Sequence, residues 1–166
     1  KKNQSKSNPM DPIFKKLQFK GQEKIIVLNA PDSFRPNMNA MQDHCTIKEN
    51  LRGVKSIKYI LVFVQKKKEI DQIVPKIATK LNGDAQVWFA YPKKSSKKYK
   101  AEFNRDTGWD AMGEAELEGV RQIAIDEDWS SLRFRKVDYI KTMTRRKTMA
   151  LSKAGKKKTK PNEYKK

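Results

Sequence analysis

Lys24-Ile25-Ile26-Val27-Leu28-Asn29-Ala30-Pro31-Asp32-Ser33-Phe34 is the stretch whose reading decides the fold. Its first half is an uninterrupted apolar run rich in β-branched residues. That is the pattern of a strand buried on both faces, as in parallel sheets covered by helices. Its second half is the loop after such a strand. Nucleotide-binding α/β domains carry glycines there, so that backbone N–H groups can approach phosphate or a nucleoside closely. No glycine stands in this loop. Pro31 lacks an N–H, and Asn29 and Ala30 add side-chain bulk. The loop reads as a rigid turn in which Pro31 sets φ and Asp32 caps the next helix. Were a nucleoside held there, Asn29 and Asp32 would line it, and Glu49 would be the nearby acid for its ribose hydroxyls.

Outward from this stretch the chain alternates strands and helices. Residues 11–19 carry Ile13, Phe14 and Leu17 on one face of a short helix opened by Asp11-Pro12 and closed by Gly21. A short helix is expected over 34–41, a weak strand over 44–49 and a strong strand over 57–64. Residues 67–81 put Ile70, Ile73, Val74, Ile77, Ala78 and Leu81 on one helical stripe, with Pro75 as an internal kink and Asn82-Gly83 as the stop. Residues 86–91 form the next buried strand, and 104–113 a helix interrupted by Gly108. Strands at 120–125 and 132–134 lie too close together for a helical crossover, so they pair as an antiparallel hairpin. The expected fold is α/β: a doubly wound, mostly parallel sheet of about six strands, closed by that hairpin in a methyltransferase-like topology.

The 166 residues carry a net charge of +19, of which residues 10–151 keep +10. A basic body attracts polyanions, and nucleic acid is the commonest of these in the cytosol. Residues 1–9 read as a disordered basic extension or a non-native remnant, with Met10 as a candidate start. Residues 10–136 read as one Rossmann-like domain, 137–151 as a basic helix or extension, and 152–166 as a lysine-rich disordered tail. The single cysteine, Cys45, excludes an intramolecular disulfide and a cysteine-based zinc cluster. A cytoplasmic setting without membrane association is expected, because the longest apolar run is far short of the roughly 20 residues of a spanning helix.

From residue 24 to 135 the chain resembles a family of small bacterial proteins catalogued only as a domain of unknown function. The residues that carry the resemblance are Asn29-Ala30-Pro31-Asp32-Ser33-Phe34, Val87-Trp88-Phe89-Ala90-Tyr91-Pro92-Lys93-Lys94, and Asp128-Trp129-Ser130-Ser131-Leu132-Arg133-Phe134. The resemblance implies a reduced S-adenosylmethionine-methyltransferase-like sheet, and it implies no catalytic residue.

Two further groups of residues bear on function. Lys93, Lys94, Lys97, Lys98 and Lys100, with Tyr99 among them, follow a central strand. They therefore lie at the carboxyl edge of the sheet, where open α/β sheets bind ligands. Lysines there neutralise phosphates, and Tyr91 or Tyr99 can stack a base; the alternative is a solvated loop. Asp128, Trp129, Ser130 and Arg133 read as a structural lock in which Trp129 packs under the sheet and Asp128 caps or pairs with Arg133. Alternatively they line a pocket with Pro92 and Lys93. Conventional catalysis finds little support. His44 is the only histidine, so no multi-histidine metal site can form. His44 and Cys45, adjacent on a strand, point to opposite faces, with Cys45 in the core and His44 exposed.

The expected protein is therefore a non-catalytic, cofactor-independent, metal-free binder of an anionic partner, RNA before an acidic protein. The alternatives are a methyltransferase-like enzyme with an atypical cofactor loop and a protein-interaction adaptor.

Overall fold

The computed structural model describes residues 9–104 and 107–140. Strands β1 (Lys24–Leu28), β2 (Thr46–Lys48), β3 (Ile57–Phe63), β4 (Leu81–Pro92), β5 (Leu117–Ala124) and β6 (Trp129–Lys136) form one sheet in the order β2-β1-β3-β4-β6-β5. The first four pair in parallel. Strand β6 inserts antiparallel between β4 and β5. The sheet is doubly wound, with methyltransferase-like topology and the expected closing hairpin.

Alternation along the central strands sends successive side chains to opposite faces. Ile26, Ile60, Val62, Val87 and Phe89 face α3 (Lys67–Ala78) and α4 (Asp110–Glu114), meeting Ile70, Val74, Ile77 and Met112. Ile25, Val27, Tyr59, Leu61 and Trp88 face α1 (Pro12–Lys16) and α2 (Arg35–Asn39), meeting Phe14 and Met38. The helix-less connection from β2 to β3 crosses the α3 side, where Val54 is buried.

Helix α1 opens as its sequence requires: the Asp11 carboxylate accepts from the N–H groups of Ile13 and Phe14, both at 3.1 Å. It closes earlier than expected, because Gln18 already makes a left-handed turn (φ 61°) ahead of the one at Gly21 (φ 86°). That turn aims the Gln18 carbonyl at Gln86 Nε2 (2.9 Å) and its side-chain oxygen at Arg133 Nη1 (2.8 Å). Trp88 Nε1 completes the chain of contacts by donating to Gln86 Oε1 at 3.3 Å.

Other boundaries differ for local reasons. Helix α3 stops at Ala78, and Leu81, Asn82 and Gly83 belong to β4 instead of ending the helix. The extra residues are absorbed as a bulge: between Ile57↔Leu81 and Tyr59↔Gln86 the register shifts. Only Thr46–Lys48 pair with β1, which leaves His44 and Cys45 in the preceding turn, both half-buried, rather than on a strand with one in and one out. Helix α4 begins after Gly108, not at Asn104. Gly108 has φ +92°, and a Cβ there would stand 2.7 Å from Phe103 Cβ, so the chain turns tightly over that ring before the helix starts. The basic stretch expected at 137–151 is described only to Ile140; a short 3-10 turn covers Val137–Tyr139. Residues 1–8 and 141–166, and with them most of the two lysine-rich tails, lie outside the described residues.

Candidate nucleic-acid interface at the carboxyl edge

Strands β1, β3 and β4 run in parallel and end at one edge. The chain leaves β1 toward β2 on one side and returns to β3 on the other, so the strand order reverses between β1 and β3. Such a switch point opens a crevice outside the strand ends. Here it is a cavity of about 400 Å³ with Asn29, Pro31, Asp32, Glu69, Lys98 and Trp129 in its lining.

The loop after β1 turns by a device the residue types permit. Asn29 takes the left-handed conformation (φ 62°), which asparagine tolerates better than most side chains. It stands in for the expected glycine. Asp32 does not cap the next helix. A 3-10 turn over Asp32–Phe34 forms instead, closed by the Phe34 N–H donating to the Pro31 carbonyl at 2.9 Å, and no side chain caps it. Glu49 is also engaged elsewhere: Arg35 Nη1 and Nη2 donate to its two oxygens at 3.0 and 2.9 Å. These hydrogen bonds hold the Glu49 carboxyl below its ordinary range and raise the Arg35 guanidinium above its own. Two features of these residues depart from an S-adenosylmethionine cradle. The glycine cradle is replaced by Asn29-Ala30-Pro31, and both oxygens of the candidate ribose acid are occupied by Arg35.

Beyond β4 lies a larger cleft of about 780 Å³. The lysine stretch forms its rim, and it is a folded loop. The Lys93 N–H donates to the Asp128 carbonyl (2.8 Å) and the Ser96 N–H to the Lys93 carbonyl (3.0 Å). Ser96, buried, donates its hydroxyl to Asp128 Oδ1 at 2.8 Å and accepts from the N–H groups of Lys98 (3.2 Å) and Tyr99 (3.0 Å). The one buried hydroxyl thus joins the lysine loop to the hairpin turn. Asp126 supports that turn from below, its Oδ1 accepting from the N–H groups of Asp128 and Trp129, both at 2.8 Å.

Lys93, Lys94, Tyr99 and Lys100 line the cleft; Lys98 lines the smaller cavity, with its Nζ 5.5 Å from the Tyr99 ring centroid, and Lys97 is exposed. Of the residues grouped around the hairpin turn, Pro92 and Ser130 line the cleft, whereas Trp129 lines the other cavity. Trp129 is buried, packed against Phe63 (5.1 Å between ring centroids) and Tyr99 (4.9 Å), as the structural lock requires. Asp128 does not pair with Arg133. Arg133 lies opposite Trp88 in the register, four residues along β6 from Trp129, or about 13 Å at strand rise. It bonds Gln18 there, and burial lowers its pKa.

Three contributors were not legible beforehand. Gln122 on β5 donates to the Tyr91 hydroxyl (3.1 Å) and to Ser130 Oγ (3.2 Å), making a polar row along one wall. Phe103 closes the bottom of the cleft against Tyr91, with centroids 6.0 Å apart. Ser96 is the clamp. Only its interruption of the lysine run hinted at a separate role. Among the described residues no group of three His, Cys, Asp or Glu side chains is arranged to hold a metal, and no helix is long and apolar enough to cross a membrane.

No family model matches the chain, so the resemblance seen in the Asn29, Trp88 and Trp129 blocks rests on those residues alone. No curated protein matches it either. Solved structures do. A SAM-dependent methyltransferase from Aquifex aeolicus is similar over 81% of this chain and 94% of its own, at 8% identity and a TM-score of 0.49. The fibrillarin pre-rRNA processing protein of Methanococcus jannaschii is similar over 70% of this chain and 67% of its own, at 11% identity and a TM-score of 0.47. A protein of the NADB-Rossmann superfamily from Streptococcus agalactiae covers 80% and 71%, at 10% identity and a TM-score of 0.46. Likenesses of this size carry no argument about activity. The chain is a mixed α/β protein with a methyltransferase-like arrangement of strands, and SAM-dependent methyltransferases are among the solved structures it is similar to.

Proposed function

We propose that the protein binds single-stranded RNA at the carboxyl edge of its sheet, as a binding module of the bacterial cytosol with low sequence specificity. The observation that carries this reading is the lysine loop, held by Ser96 and Asp128 at the rim of an aromatic-floored cleft. Lysines on a held loop neutralise successive phosphates, and stacking surfaces beside them accept bases of any sequence. Lysines in the tails add further phosphate contacts on this reading. The test is fluorescence anisotropy of a labelled single-stranded RNA. Three phosphate contacts from Lys93, Lys94 and Lys100 alone lower log K by about 2 per tenfold rise in salt. Affinity that stays flat between 50 and 200 mM salt, or no binding at 50 mM, overturns the reading.

A second reading is a methyltransferase-type enzyme with an atypical cofactor loop. The cavity at the switch point favours it, because open α/β sheets take their ligands at that position. The Arg35–Glu49 pair and the missing glycines weigh against it. Calorimetry with S-adenosylmethionine separates the two: micromolar binding establishes the enzyme reading, and millimolar or absent binding removes it.

A further inference from the structure

We propose that the cleft beyond β4 takes one unstacked base of an RNA strand, while the flanking phosphates rest on Lys93, Lys94 and Lys100. This rests on the RNA-binding reading and adds to it a specific place for the base.

Charge singles out this cleft. None of its described lining residues is acidic, and three are lysines. The cavity at the switch point has Asp32 and Glu69 in its lining against Lys98. The groove between α3 and α4 has Asp71, Asp110 and Glu114 against Lys67. A strand of phosphates is drawn to the first of these and repelled by the third.

The interior explains why a base enters and phosphate stays outside. Below the lysine rim the lining includes the half-buried Tyr99 and Ala101 together with Tyr91 and Phe103, which are themselves buried. A phosphate gains nothing among these rings and loses its hydration. A base has two π-faces to offer aromatic side chains and polar edges for hydrogen bonding. The Gln122–Tyr91–Ser130 row supplies a polar wall whose geometry is already set. At about 780 Å³ the cleft falls in the range of about 300–1,000 Å³ typical of small-ligand sites, with room for a nucleoside. The backbone of the rim is tied down as well, because Ser96 joins the loop to Asp128, so the loop itself need not be ordered on binding.

The experiment compares a nine-residue oligouridylate with a nine-residue abasic RNA of the same phosphate count, using the full chain at 50 mM salt. The intact strand is expected to bind at least about tenfold tighter, the scale of one base–aromatic stack. Ala124→Trp, at an exposed position on the cleft wall, fills the cleft without altering charge. It is expected to bring the intact strand down to the abasic level and to leave the salt slope unchanged. Gln122→Ala, a second exposed site, removes the polar row without filling the space and is expected to reduce the difference in part. Equal, steeply salt-dependent binding of intact and abasic strands overturns the base site while the phosphate reading stands. A preference for the intact strand that survives Ala124→Trp in folded protein also overturns it. If neither strand binds at 50 mM salt, both readings fall together.

Discussion

At the ends of β1 and β3 the edge of the sheet encloses a cavity with acids and a lysine in its lining; beyond β4 it opens into a cleft with lysines and no acid among its described lining residues. Tyr99 lines both, and Trp129 packs directly behind it. The first lies where the topology itself opens a crevice, yet its acid Glu69 is turned to other partners, with Oε1 accepting from the N–H groups of Gln65 (2.7 Å) and Lys66 (2.9 Å), and Glu49, outside the lining, is held by Arg35. The second owes less to topology and more to one loop and one hairpin. The difference teaches that a sheet determines where a site can be, while the loops determine which of the available places keeps unspent charge.

The comparison can be broken most forcefully just behind the shared Tyr99. Trp129→Ala is expected to cost about 3–5 kcal/mol in urea denaturation, since a buried indole between two rings is lost. Trp129→Phe is expected to cost less, because the buried Nε1 has no hydrogen-bond partner to lose. Next in size is the cleft alone. Replacing Lys93, Lys94 and Lys100 together by alanine is expected to weaken RNA binding on the order of 100-fold at 100 mM salt and to flatten the salt slope by about 2. Lys98→Ala, on the other cavity, is expected to do far less, and equal losses from the two variants would erase the distinction between the regions. Ser96→Ala removes the clamp and is expected to destabilise by about 2 kcal/mol, leaving Asp128 and two N–H groups without their hydroxyl partner. Asn29 sharpens the other side. Asn29→Ala is expected to cost about 1 kcal/mol and Asn29→Gly nearly nothing, because only the left-handed turn is at stake.

The smallest effect is one of pH. The folded Glu49 carboxyl titrates below its unfolded value, near 4.3 for an ordinary glutamate. Its contribution to stability is therefore present above that value and is lost as pH falls through the depressed folded one. A carboxyl titration followed by NMR is expected to show Glu49 below the other exposed glutamates, and Arg35→Gln to return it to them. The pair is exposed, so the change in stability is expected to be slight.

The sheet was readable because the burial of its central strands is written in composition. Ile25–Leu28, Tyr59–Phe63 and Val87–Tyr91 are apolar at every position, which only a strand covered on both faces tolerates. The hairpin was readable from the short separation of its strands. Helix ends were harder. Gln18 and Asn29 adopt left-handed turns that their residue types permit without announcing, while Asn82-Gly83, which looks like a helix stop, forms a bulge in β4. At the site, the lysines were plain, but pairwise contacts were not. The Asp128 partner is Ser96, 32 residues away, because the register of β6 carries Arg133 to mid-sheet, opposite Trp88. Such pairings depend on strand register and loop return, which residue types do not encode locally.

The position of Trp129 has a spectroscopic consequence. Its indole is wedged between Phe63 and Tyr99, directly behind the residue that lines both cavities. Trp88 sits in mid-sheet with its Nε1 on Gln86, and Trp109 lies among Phe89, Phe103 and Phe134 on the opposite face. With those two replaced by phenylalanine, the emission of the remaining indole becomes a native optical gauge at the carboxyl edge. A ligand arriving from either side displaces or rigidifies Tyr99 and changes the signal, so a single titration reports that the edge is occupied without any label being attached.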